Sequence, residues 1–223
     1  MLCPILEKNK TMDKYSITIE TYNKSAKSFE DKFMNMDLYN DTYNKFCDLI
    51  DKKHADIFEI ACGPGNITKY LLTRRPDFNI VAIDLSSKMI ELAKKNLPSV
   101  DFQIMDCREI ETIEKKYDAI MCGFCLPYLS REESAKLIND SSKLLNQNGL
   151  IYLSTMKGDY EKSGFETTSF SGQEKIYIHY HQSDYLTDKL SENGFENIEL
   201  LCKDYPEQNG TFTTDMIFIA RKK

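Results

Sequence analysis

From Tyr15 the apolar side chains fall at Tyr15, Ile19, Tyr22, Ala26, Phe29 and Phe33, in steps of four and three, with Lys, Glu and Asp between them. That spacing lines one face of an α-helix, and such a face needs a partner. Tyr39, Tyr43, Phe46 and Ile50 predict a second helix over 38–50. The period then changes. His54 to Ala61 is a short apolar run with Glu59 as its one charge, the mark of a buried strand. Further strands are predicted over 79–84, 99–105, 117–122 and 150–155, separated by helical patterns.

The helix boundaries carry their own signals. Asn66 is placed to cap a helix running to about Thr73 before Pro76, and Ser86 to cap one running to Asn96. Ser130-Arg131-Glu132-Glu133 is a capping box for a long helix expected to end at Asn148-Gly149. The stretch 156–175 is polar and aperiodic, an insertion loop or ragged hairpin. Ile176 to Tyr180 alternates, Ser183 is a further cap with Gly194 as the stop, and 197–203 and 211–220 predict a closing strand pair. Strands alternating with helices predict an α/β fold: a Rossmann-like, doubly wound and mostly parallel sheet, with ligands at the strands' carboxyl ends.

Composition narrows the class. The 223 residues are 41% hydrophobic and 29% charged, enough for one core. We expect a loose tail over 1–12 and a single domain over 13–223, with helices in 13–51, the sheet core in 52–223 and the insertion at 156–175. The net charge of −6 argues against nucleic acid as the partner. No apolar run is long enough to span a bilayer, and Met1 to Leu6 is too short for a signal-peptide core. Seven cysteines at irregular spacing do not form a secreted disulfide framework, so a cytoplasmic location is expected. Cys122-Gly123-Phe124-Cys125 lacks the additional ligands a zinc site needs, and no metal is expected.

The chemistry concentrates at Glu59-Ile60-Ala61-Cys62-Gly63-Pro64-Gly65-Asn66, where a strand breaks into two glycines before a helix. Glycine admits positive φ and close ligand approach, and the helix start offers free amides. Asp84 ends the second predicted strand, placed to accept from a ribose diol, and Asp106 ends the third.

These residues resemble the class I S-adenosylmethionine-dependent methyltransferases, in particular the small-molecule branch often labelled type 11. The resemblance runs from about Tyr15 to the end and rests on the Glu59–Asn66 loop, Val81-Ala-Ile-Asp84-Leu-Ser, Met105-Asp106-Cys107, Tyr117-Asp-Ala-Ile, Leu145-Asn-Gln-Asn-Gly149 and Tyr185-Leu through Gly194-Phe195. It implies a seven-stranded sheet with an antiparallel closing strand and an N-terminal helical lid. It also implies S-adenosylmethionine as cofactor. Glu59, Ala61, Gly63 and Gly65 would surround the methionine end, Asp84 would hold the ribose, and Asp106 with the Cys107 backbone would meet the adenine beside Leu85. Cys122 would stand in the wall after the fourth strand. Many members have glycine where this chain has Ala61.

The reaction so implied is in-line displacement of the methyl from a sulfonium by N, O or S of a small-molecule acceptor, with the protein a monomer or homodimer. His179 and His181 are candidate bases, and Tyr22 a candidate for closing over the cofactor. Two other readings compete. A nicotinamide-dependent oxidoreductase shares the loop and the ribose acid, but Thr68 stands where its third glycine belongs. A non-catalytic S-adenosylmethionine-binding module has the same cofactor signature.

Overall fold

The computed structural model describes residues 13–168, 170–207 and 210–223; the tail expected over 1–12 lies outside them. The first amphipathic pattern is α1 (Lys14–Phe33), started by the Asp13 carboxylate, which accepts from the Tyr15 and Ser16 amides. The second is α2 (Asn40–Asp48). The alternating part follows as β1 (Asp56–Ile60), α3 (Asn66–Arg74), β2 (Asn79–Asp84), α4 (Ser87–Asn96), β3 (Asp101–Ile104), β4 (Tyr117–Cys122), α5 (Arg131–Leu144) and β5 (Leu145–Met156). The last third holds β6 (Gly164–Thr167), β7 (Lys175–Ile178), α6 (Ser183–Glu192), β8 (Phe195–Pro206) and β9 (Phe212–Lys222).

The main sheet has seven strands in the order β3-β2-β1-β4-β5-β9-β8. β3, β2, β1, β4 and β5 are parallel, and β9 runs antiparallel between β5 and β8. This is the expected Rossmann-like sheet. Chain order reverses between β1 and β4, so their carboxyl ends open a crevice. Successive side chains of a central strand enter opposite layers: Ile57 packs with Phe46, Leu71 and Tyr152, whereas Phe58 packs with Tyr117, Leu137 and Leu186. A strand buried on both faces reads as a continuous apolar run for this reason.

Several boundaries differ from the sequence reading. Asn66 and Ser183 are first helical residues rather than caps, with Gly65 and Gln182 before them and no side-chain cap at either end. Ser86 and the Ser130–Glu133 capping box are formed. The long helix stops at Leu144 instead of Asn148-Gly149, because Leu145 already pairs with Tyr117 and the sheet register then shifts. Asn148, at φ 61°, lies inside that shift, between Leu145 and Leu150 of β5.

The insertion at 156–175 contributes β6, and β6 pairs antiparallel with β7 in a separate two-stranded sheet. That hairpin explains how α1 is held. Thr21 Oγ1 donates to the Lys175 carbonyl at 2.9 Å and Thr18 Oγ1 accepts from the Tyr177 amide at 3.0 Å, so two threonines are buried under the hairpin. The aromatic face of α1 does not press on the sheet. Tyr15, Ile19, Tyr22, Phe29 and Phe33 instead line a cavity, and α1 is its lid.

Candidate active site

The cavity has a volume of about 750 Å³ and lies over the carboxyl ends of the parallel strands. Its floor begins where β1 breaks. Ala61 (φ 57°), Gly63 (φ 54°) and Gly65 (φ 86°) are all left-handed. The turn this makes aims the Gly63 amide at Asp84 Oδ2, 2.9 Å away, while the Ser86 amide donates to Oδ1 at 2.8 Å. Each carboxylate oxygen accepts one amide and keeps a lone pair for a guest. Burial pushes the Asp84 carboxyl up to about 6 against the pull of those amides.

Ala61, Gly63, Asp84, Leu85, Asp106, Cys107 and Tyr22 all line this cavity. The remaining sequence candidates stand behind it. Glu59 is 1% exposed beneath the loop, where Thr68 Oγ1 donates to its Oε2 at 2.7 Å and its Oε1 has no partner. Burial raises its carboxyl to about 8. Gly65 turns toward α4 and β3, with Leu97, Phe102 and Ala93 around the place of a Cβ. Cys122 is buried, and the wall after β4 is made by Gly123, Phe124 and Cys125.

Asp106 is held from one side. Arg108 donates to both its carboxylate oxygens and also reaches Glu133, so although burial pushes the carboxyl up, pairing with Arg108 keeps it below its usual range. Cys107 Sγ lies 3.5 Å from Cys125 Sγ. Across the cavity the Tyr22 hydroxyl meets that of Tyr128, and the Tyr22 ring stands edge-on to Phe29 at 5.9 Å. The lid is thereby tied to the loop after β4.

The histidines need a correction. His179 and His181 do not line the cavity; both are buried against the Tyr160 ring, at 5.6 and 6.2 Å between centroids. His181 Nε2 is 3.0 Å from the Leu126 carbonyl, and His179 Nε2 is 3.0 Å from Lys14 Nζ. Burial lowers the pKa of both, His179 to about 4. They brace the loop after β4 and the lid's first turn, and their placement gives no support to a role as base.

A group that the sequence reading passed over is Asp215. It is 3% exposed, lines the cavity and accepts from the Tyr39 hydroxyl at 2.6 Å. Burial pushes its carboxyl up to about 7. Tyr39 also stands edge-on to Phe124 at 5.1 Å, which links Asp215 to the wall after β4. The signal was the one charge at the head of the apolar run Met216 to Ala220, the same anomaly that drew attention to Glu59.

Residues 57–149 match the family model described as a methyltransferase domain. A protein of Invertebrate iridescent virus 6 named "Putative methyltransferase 235L" is 30% identical over 136 residues, covering 61% of this chain and 49% of that protein. Residues 57–149 are thus a methyltransferase domain, and in fold the chain is similar to solved S-adenosylmethionine-dependent methyltransferases. A malonyl-[acyl-carrier protein] O-methyltransferase of Ilyobacter polytropus is 29% identical over 156 residues, 69% of this chain and 56% of that one. The chain thus spans about half the length of these curated relatives. In fold, it is similar to magnesium protoporphyrin IX methyltransferase from Synechocystis, solved with S-adenosylmethionine bound: TM-score 0.70, 15% identity, 97% of this chain and 100% of that one covered.

The residues present in this methyltransferase fold fit the family's cofactor. Asp84 offers lone pairs to a diol, Leu85 and Met105 offer an apolar bed for a base, and Tyr22, Phe29 and Phe124 line the same cavity with aromatic rings of the kind that favour a cation. Thr68, in the place of a dinucleotide fold's third glycine, is buried with its hydroxyl on Glu59.

Proposed function

We propose that the protein transfers the methyl group of S-adenosylmethionine to a nucleophilic atom of a small molecule. One observation carries this reading. Asp84, fixed by the Gly63 and Ser86 amides, opens into a lidded cavity that continues past Phe124 to Asp215. The volume exceeds what one end of the cavity needs, leaving room for a second reactant beside the cofactor.

The cofactor supplies an activated methyl. The protein's part is to bind, orient and exclude water: Asp84 and the loop fix one reactant, while α1, tied down through Tyr22 and Tyr128, covers the space above both. Holding reactants in near-attack geometry is the dominant contribution to such a displacement. The acidic overall charge supports a small acceptor over nucleic acid. Among the described residues no helix is long and apolar enough to cross a membrane.

Thermal shift tests the cofactor assignment. S-adenosylhomocysteine at ~100 times its dissociation constant adds ~2.7 kcal/mol, which at this size raises the midpoint by roughly 5–11 °C. Stabilisation by NAD and not by S-adenosylhomocysteine would overturn the reading. Release of S-adenosylhomocysteine from S-adenosylmethionine in the presence of acceptors separates a transferase from a non-catalytic binding module.

A further inference from the structure

We propose that the chamber beyond Phe124 admits a protonated primary or secondary amine as the methyl acceptor, and that Asp215 receives it and takes its proton. This rests on the methyl-transfer reading above and names the substrate class of the same site.

The argument starts from what Asp215 lacks. Its carboxyl is nine-tenths buried in the cavity wall, and among the described residues Oδ2 accepts from Tyr39 alone while Oδ1 accepts from no group. It forms no ion pair with any described residue. An oxygen that opens onto the cavity without a protein donor is left for water or a guest to complete. The two other carboxylates on this side repeat the pattern: Glu166 accepts from the Tyr180 hydroxyl at 2.9 Å and Glu207 from Thr213 Oγ1 at 2.7 Å, each from a neutral donor.

Of the cations that line the cavity, Arg108 pairs with Asp106 and Glu133, whereas Lys69 donates to Asn35 and Lys14 lies against His179 and the Tyr177 ring, neutral partners that leave their charge in place. Against these two lysines stand Asp84, Glu166, Glu207 and Asp215, none of them in an ion pair with a described residue, so the lining carries a net negative charge toward an acceptor. Anionic acceptors are repelled and a cation is drawn in; Tyr39, Phe124 and Tyr205 supply aromatic walls that favour the same guest.

The proton accounting closes. The ammonium gives a proton to the Asp215 carboxylate; the freed nitrogen lone pair attacks the methyl carbon; the carbon–sulfur bond breaks with its electron pair going to sulfur. The products are a methylated ammonium, a neutral thioether and a protonated Asp215, which returns its proton to water. Burial places the Asp215 carboxyl near 7, suited to accept and release a proton around neutrality. The groups facing it are Tyr39 just before α2, Tyr43 from α2, Tyr152 from β5, and Asp204 and Glu207 along and beyond β8. Lys203, opposite Asp215 in register, is engaged by Asp41.

The test uses the full chain loaded with S-adenosylhomocysteine and two size-matched pairs of probes: tyramine against phloretate, and cadaverine against glutarate. We expect each amine to bind at least about 10-fold more tightly than its carboxylate counterpart, a difference of about 1.4 kcal/mol. Asp215→Asn should erase that preference while S-adenosylhomocysteine affinity stays within about twofold, which shows that the fold and cofactor site survive. With S-adenosylmethionine, methylation of a bound amine should rise with pH on a limb near neutrality that Asp215→Glu keeps and Asp215→Asn loses. Carboxylates binding as well as amines, or an amine preference that survives Asp215→Asn, would overturn the proposal. Failure of the wild-type chain to bind S-adenosylhomocysteine would instead remove the methyl-transfer reading on which it stands.

Discussion

The two halves of the cavity are built differently. The half at β1 to β3 is made from short segments that follow one another in the chain: the Ala61–Gly65 turn, Asp84 at the end of β2 and Asp106 after β3, fixed by backbone amides. The half beyond Phe124 is assembled from distant pieces, with Tyr39, just before α2, on Asp215 of β9 and α1 on the β6–β7 hairpin through Thr18 and Thr21. Backbone geometry imposes the same loop on any chain with glycines at those places. Side chains meeting across the fold impose nothing in advance, so that half is free to vary in chemistry on a constant scaffold.

The sharpest break in this comparison is Asp84→Asn. The amide presents an N–H to one of the two backbone amides that now donate to the carboxylate, and removes the charged acceptor for a diol. S-adenosylhomocysteine affinity should fall about 100-fold by calorimetric titration, about 2.7 kcal/mol, whereas Asp215→Asn leaves it nearly unchanged. Equal losses in the two variants would erase the division between the halves.

A smaller effect follows from the raised carboxyls. Glu59, at about 8, is neutral in the fold and ionised in the unfolded chain at pH 7, and Asp215, at about 7, behaves likewise in part. The unfolded state therefore holds fewer protons, and stability falls as pH rises from about 4.5 through 8. Below about 6.5 the two lowered histidines work in the opposite direction, so the clean window lies above it. Between pH 6.5 and 8 the ligand-free protein should lose about 1–2 kcal/mol, read as a drop of several degrees in Tm. Glu59→Gln should remove most of that slope.

Tyr39→Phe takes away the one donor to Asp215 and leaves the ring against Phe124. Turnover of an amine should fall about 10-fold in steady-state assays with S-adenosylhomocysteine affinity unaltered, the cost of about one hydrogen bond to a charged group. The smallest change is Ala61→Gly. Relief of a left-handed alanine, worth about 1–2 kcal/mol, is largely offset by the greater freedom of glycine in the unfolded chain, about 0.4–1 kcal/mol. A gain in urea-melt stability of no more than about 1 kcal/mol is expected.

The sequence by itself determined the strand and helix alternation, the sheet that follows from it, the glycine turn and the place of Asp84, because each is a local consequence of periodicity or of φ. It also showed that Glu59 is an anomaly without showing why: the side chain lies under the turn on Thr68, and only the packing of α3 against β1 decides that. Caps at Asn66 and Ser183 were misplaced by a single residue, since a polar residue beside a helix start reads alike inside or outside it. His179 and His181 alternate as a strand would, yet the tertiary structure turns both into the Tyr160 contact and away from the cavity. What only the fold decided is the end of the cavity proposed for the acceptor, where Tyr39, just before α2, meets Asp215 of β9, a contact with no periodicity to announce it.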